Sequence, residues 1–218
     1  HAGRRVRSAM NPYIAGTLAV VLTPFMGGLL YGLDRKLTAR MQSRIGPPIV
    51  QPFYDVLKLF GKDVMSCNGI QSITASVYLV TSILGVLMLA LGQDLLVLLF
   101  VVALGDVMLI LGAFSVKSPY SQLGAQRAIM QMLAYEPLLV LTVVGVYLKS
   151  GSFLVENVLQ LDKPLFLSMP LFFVTQTMVL GIRLHKSPFD VSASHHAHQE
   201  LVRGIYTEFS GPMLALIE

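Results

Sequence analysis

Apolar residues gather into five long runs, at 12–33, 72–92, 94–115, 128–148 and 165–183, with polar segments between them. An α-helix needs ~17–25 apolar residues to cross a bilayer, so each run is predicted to be a membrane span. Only Gln93 separates the second run from the third. A sixth run begins near Ser210 and is cut at Glu218, so further chain is expected beyond it. The pattern predicts an all-α fold: a polytopic transmembrane bundle of five full spans and the start of a sixth. Within the first run, Pro24 interrupts the backbone donors, and Gly28 and Gly32 are spaced to seat a neighbouring helix closely.

The polar segment after the first span carries a different period. In QPFYDVLKLFGK (51–62), Phe53, Val56, Leu57 and Phe60 recur at helical spacing, and Asp55, Lys58 and Lys62 fall on the opposite face. That is an amphipathic helix suited to the membrane surface. Arg44-Ile45-Gly46-Pro47-Pro48 precedes it as a turn that re-aims the chain. A plain anchoring helix without chemistry is the simpler reading of the stretch taken alone.

Composition agrees with the spans. The chain has 218 residues, 54% hydrophobic and 13% charged, about half the charge of a soluble domain. One cysteine, Cys67, excludes a disulfide framework and an iron–sulfur cluster held by this chain alone. Eleven Lys and Arg lie in segments 34–71, 116–127 and 183–203, against Lys149 and Lys163 in the alternate loops. This bias predicts cytoplasmic loops at 34–71, 116–127 and 184–209 of an inner (cytoplasmic) membrane protein. Residues 1–9, HAGRRVRSA, would then lie outside, against the rule. They read as a basic extension upstream of Met10, and 10–218 as a single membrane domain.

Acids within apolar runs are the candidate chemistry. Asp106 lies near the middle of the third run, and Glu136 lies in the fourth, followed by Pro137. A charged acid at the centre of a span costs ~2.5–3.5 kcal/mol. It is either an ion-relay group or a structural acid bonded to a neighbouring helix; pairing with Arg127 is one structural option. The segment 183–211 is the most polar stretch, with Arg183, Asp190, His195, His196, His198, Glu200 and Glu208, and Glu218 follows in the next run. HHAH lacks a usual zinc spacing and has no cysteine near it, so proton exchange or hydrogen bonding to the loop acids is expected there and metal binding is not. P-loop, dinucleotide and nucleophile-elbow motifs are absent, and the basic residues flank spans rather than forming a nucleic-acid patch.

These segments resemble a known family. Arg44-Ile45-Gly46-Pro47-Pro48 with Gln51-Pro52, Asp55, Lys58 and Leu59 is similar to the first cytoplasmic segment of the NADH dehydrogenase subunit 1 family. Gly124-Ala125-Gln126-Arg127-Ala128 with Tyr135-Glu136 resembles its fourth-helix signature. Pro188-Phe189-Asp190, Glu200-Leu201-Val202 and Glu208-Phe209-Ser210-Gly211-Pro212 resemble its acidic loop and sixth-helix start. The form HAHQE (196–200) looks closer to the branch in membrane-bound, energy-converting nickel–iron hydrogenases.

The resemblance implies about eight helices in the whole protein and a membrane anchor for a soluble redox arm. In the hydrogenase branch that arm takes electrons from ferredoxin and evolves H2, or runs in reverse, coupled to H⁺ or Na⁺ movement. The implied partners are hydrogenase large and small subunits, a ferredoxin-like iron–sulfur subunit and antiporter-like membrane subunits. The nickel–iron centre and the iron–sulfur clusters would reside in those partners, with no cofactor held by this chain alone. The expected ion path uses Asp106, Glu136, Glu200, Glu208 and Glu218. Arg183, Asp190, His195, His196 and His198 form the expected coupling loop. Arg44, Asp55, Lys58 and Arg127 would meet the soluble arm, and no catalytic residue is expected in the chain. The alternatives are the quinone-chamber subunit of a complex I-like dehydrogenase, a purely structural anchor, and a stand-alone transporter. No repeated half is visible, which weighs against the last.

Overall fold

A computed structural model describes residues 12–63, 68–161, 164–184 and 204–217. Among these the architecture is a helical bundle without strands. Helix α1 spans Pro12–Met41, α2 Gln51–Phe60, α3 Gly69–Ala90, α4 Leu95–Phe114 and α5 Pro119–Ser150. The short helices α6 (Val155–Val158) and α7 (Leu165–Ser168) lead to α8 (Pro170–Arg183), and α9 (Pro212–Ile217) closes the described chain. α1, α3, α4 and α5 are each long and apolar enough to cross a membrane.

Helix length and apolar length differ. α1 runs on to Met41, past the apolar run's end at 33, and α5 starts at Pro119, ahead of its run's start at 128. Polar residues such as Arg35, Lys36 and Arg40 continue a helix as well as apolar ones do; hydropathy marks where lipid lies, not where hydrogen bonding stops. The fifth run is divided. Pro170 lacks a backbone N–H and restricts the residue before it, and Met169 sits between α7 and α8 at φ −143°, ψ 63°. The 14 residues of α8 span only ~21 Å.

α2 is a helix, as the amphipathic period predicts, and it folds back along α1. Ser43 takes a left-handed φ of 55°, and the Arg44 N–H donates to the Ala39 carbonyl at 2.8 Å, ending α1. The ring of Phe53 lies over Gly28, where a Cβ would come within 2.7 Å of it. Phe25 and Phe53 pack with ring centroids 5.9 Å apart. A Cβ on Gly32 would overlap the Ile49 carbonyl. Gly28 and Gly32 thus seat α2 and its lead-in loop. Gly32→Val is expected to lower the thermal midpoint and the inserted yield, at ~1–3 kcal/mol or more for overpacking against backbone. Gly27→Ala, which meets open space, is the matched control and should leave both unchanged.

α3 and α4 form a helical hairpin around Gln93. Gly92 turns at φ 74°, and the Asp94 carboxylate accepts from the Leu96 and Val97 N–H groups to cap α4. The Leu95 N–H donates to the Phe153 carbonyl and the Val155 N–H to the Gln93 carbonyl, tying this turn to the one after α5. Gly105 and Gly112 let α4 approach Thr81 and Thr74 of α3, close packing of the kind small residues permit within membranes. The buried centre comprises Ala75, Leu109, Ile110, Ala113, Ala125, Ile205, Phe209 and Ile217. Residues 204–217 therefore pack into the bundle. Buried Gln71 donates to the Glu208 carbonyl at 3.4 Å, and Gly204 lies against the Tyr120 carbonyl.

Candidate functional site

Three helices converge on a charged cluster inside the bundle. Arg183, in the last turn of α8, donates from Nη2 to Asp106 Oδ2 of α4 at 2.6 Å. The Tyr135 hydroxyl of α5 donates to the same oxygen at 3.4 Å. The Arg183 guanidinium also stands 5.7 Å from the centroid of the Tyr135 ring. A cavity of about 160 Å3 opens at this cluster, and Tyr78, Gln131 and Tyr206 also reach it. Tyr78 and Asp106 lie about 12–13 Å along their helices from the ends nearest the basic segments, at ~1.5 Å per residue.

Helix breaking explains why Arg183 reaches so far. α8 is short, so its C-terminal turn falls at a depth where a full-length span would still be apolar. A cation paired to an acid there avoids the cost of a lone charge in the span.

Glu136 is next to Tyr135 on α5, and its Oε1 is buried with no hydrogen-bond partner among the described residues. Pro137, immediately after it, supplies no N–H to the helix ladder. A second polar pair lies further along α5: the Thr142 hydroxyl donates to Gln176 Oε1 of α8 at 3.4 Å.

Asp106 is thus partnered by Arg183, not by Arg127. Arg183, read from sequence as part of the coupling loop, is a helix residue turned into the bundle. Glu208 is half-buried beside the core, with its backbone held by Gln71. Asp55 pairs with Arg35 of α1 at 3.1 Å and accepts from the Gln51 amide at 3.0 Å, so it fastens α2 to α1. Arg44 bonds Gln42 at the surface, and Lys58 and Arg127 are exposed. Asp190, His195, His196, His198, Glu200 and Glu218 lie outside the described residues. Among the described residues no group of three His, Cys, Asp or Glu side chains could hold a metal. Tyr78 and the Asp106–Arg183 pairing escaped the sequence reading; a tyrosine inside an apolar run gives no signal of its own.

The fold and this cluster define a class: a multi-pass membrane helical bundle with an ion pair held inside it. Residues 14–218 match the NADH dehydrogenase family, and the chain belongs to that family. It is 29% identical to a subunit of the NADH-quinone oxidoreductase of Thermomicrobium roseum, over 88% of this chain and 68% of that one. It is 32% identical to Hydrogenase-4 component C of Escherichia coli, over 91% of this chain and 66% of that one. A chain in the structure of the membrane-bound sulfane sulfur reductase, an archaeal respiratory membrane complex, superposes with a TM-score of 0.83. The two are 27% identical, and the match covers 95% of this chain and 73% of that one. The chain spans about two thirds of the length of the curated relatives it matches.

Proposed function

We propose that this chain anchors the soluble arm of an energy-converting nickel–iron hydrogenase and couples its redox chemistry to ion movement. The observation that carries the reading is the Asp106–Arg183–Tyr135 cluster, with the unpartnered Glu136 oxygen beside it. In this reading Arg183 alternates between the Asp106 contact seen here and a position withdrawn from it. A charge change in the soluble arm, felt through residues after Arg183, would shift that balance and change how readily Asp106 and Glu136 exchange protons. The acids Glu200, Glu208 and Glu218 and antiporter-like subunits would extend the path. This chain contributes no redox centre; the nickel–iron and iron–sulfur groups belong to the partner subunits in this reading.

The hydrogenase branch is supported by HAHQE (196–200) and by the likeness to Hydrogenase-4 component C. The second reading, a quinone-chamber subunit, is favoured by the likeness to the NADH-quinone oxidoreductase chain of Thermomicrobium roseum. Against it stands the His-rich form of residues 195–199, where a quinone-chamber subunit is expected to carry a more acidic loop. Purification of the complex decides between them. A co-purifying chain with paired nickel-binding CxxC motifs supports the hydrogenase; a complex with inhibitor-sensitive quinone reduction and no nickel overturns it. Lys58 and Lys117 are expected to react with a membrane-impermeant amine reagent only from the cytoplasmic face, since the basic segments lie there in this reading. Labelling of either from outside sealed cells inverts the proposed orientation.

A further inference from the structure

A groove of about 530 Å3 runs along one face of α5 and is closed on one side by Ile182 of α8. Its residues on α5 include Gln126, Arg127, Met130, Gln131 and Ala134, three and four apart, so they form one continuous stripe. The stripe is ordered by depth. Arg127 falls just before the apolar run 128–148, whereas Met130 and Ala134 fall inside it. Tyr120, one face-repeat before Arg127, is 56% exposed, and exposed Lys117 stands just ahead of α5. Tyrosine and basic residues at the mouth of a span mark the headgroup level of a bilayer. Among the described residues Arg127 has neither a hydrogen bond nor an ion pair. The groove therefore offers one cation with the Gln126 amide beside it and, deeper, a largely apolar floor, in the order in which a phospholipid presents phosphate and acyl chain.

We propose that this groove holds one anionic phospholipid. The Arg127 guanidinium takes the phosphodiester in a two-point hydrogen bond, a geometry that lysine cannot reproduce. The Gln126 amide is able to donate to the remaining oxygens, and one acyl chain lies over Met130 and Ala134 against Ile182. Basic pockets between spans select anionic over zwitterionic lipids in this way. A quinone would bring a neutral head to Arg127 and leave the cation uncompensated. The inference needs only that α5 spans a bilayer, and it stands or falls apart from ion coupling.

The test uses the purified complex in nanodiscs containing phosphatidylglycerol or phosphatidylcholine with a photoreactive diazirine in mid-chain. Crosslinked peptides are read by mass spectrometry. Label on residues 128–136 is expected to be about fivefold greater with phosphatidylglycerol. Arg127→Gln should bring it down to the phosphatidylcholine level, and Arg127→Lys should fall between. Ala134→Phe, which fills the apolar part and keeps the cation, should also abolish the preference. Equal labelling by both lipids, as for general bilayer contact, overturns the proposal. So does absence of label, which would mean that a protein segment or the soluble arm covers the groove. If Arg127→Gln fails to assemble, the ratio on the unaltered complex and the Ala134→Phe variant decide the outcome.

Discussion

Arg183→Leu is expected to destabilise the membrane domain more than removal of both members of its ion pair. The substitution leaves Asp106 facing Tyr135 and the apolar side chains of α4 with its cation gone. Breaking a fully buried pair from one side costs ~3–5 kcal/mol, whereas replacing both charges is often neutral. The Arg183 and Asp106 side chains are 32% and 21% accessible, so a coupling of about 2 kcal/mol is the better expectation. Asp106→Asn should be milder, because Arg183 sits at a helix end and its long side chain is able to swing to water. The double variant Asp106→Asn/Arg183→Leu should recover most of the loss. Thermal midpoints and the assembled fraction of the four proteins form a double-mutant cycle. Additive effects in that cycle would mean that the 2.6 Å contact carries no coupling in the membrane.

This pair also marks the boundary of what the sequence could reveal. Asp106 is conspicuous as an acid within an apolar run, so its importance is legible; its partner is not. Arg183 is 77 positions away and follows an apolar run whose length predicts a full span. Only the break at Met169–Pro170 brings the last turn of α8 to Asp106. The break has a sequence signal, Pro170, but proline is compatible with a kinked span as well as a divided one. Arg127, nearer in sequence to both acids, instead lies on an outward face of α5. Periodicity speaks of faces within a helix, not of which faces meet.

The amphipathic element was legible for the opposite reason: its partners are local in sequence. Phe53 and Phe60 share a face by spacing, and Gly28 and Gly32 announce a close approach. The structure joins the two signals, Phe53 over Gly28 and Ile49 against Gly32. Asp55, placed by sequence at a junction with a soluble arm, is engaged with Arg35. Its polar character serves the α1–α2 contact first. Lys58 remains exposed on the same short helix, so a docking role falls more naturally to it. The helices run past the apolar runs, to Met41 and from Pro119, because apolar runs record contact with lipid, whereas helices extend through the polar boundary.

Glu136→Gln is expected to separate assembly from ion movement. Glutamine has nearly the same shape and retains a carbonyl acceptor, but it cannot hold and release a proton as the carboxyl does. Glu136 Oε1 is buried without a hydrogen-bond partner among the described residues, so a structural hydrogen bond does not explain that oxygen. If its purpose were packing alone, glutamine would serve equally well. In the proposed reading the complex assembles normally, and the soluble arm turns over with artificial electron carriers. Proton or sodium uptake into sealed vesicles falls about tenfold or more, in line with removal of a positioned proton-transfer group. The ferredoxin-linked reaction should also lose its response to a collapsed membrane gradient. Assembly, turnover and uptake must be measured on one preparation. Failure to assemble would assign Glu136 to structure. Full uptake by an assembled variant would remove it from the ion path, leaving Asp106 and the acids of 200–218 to carry the proton.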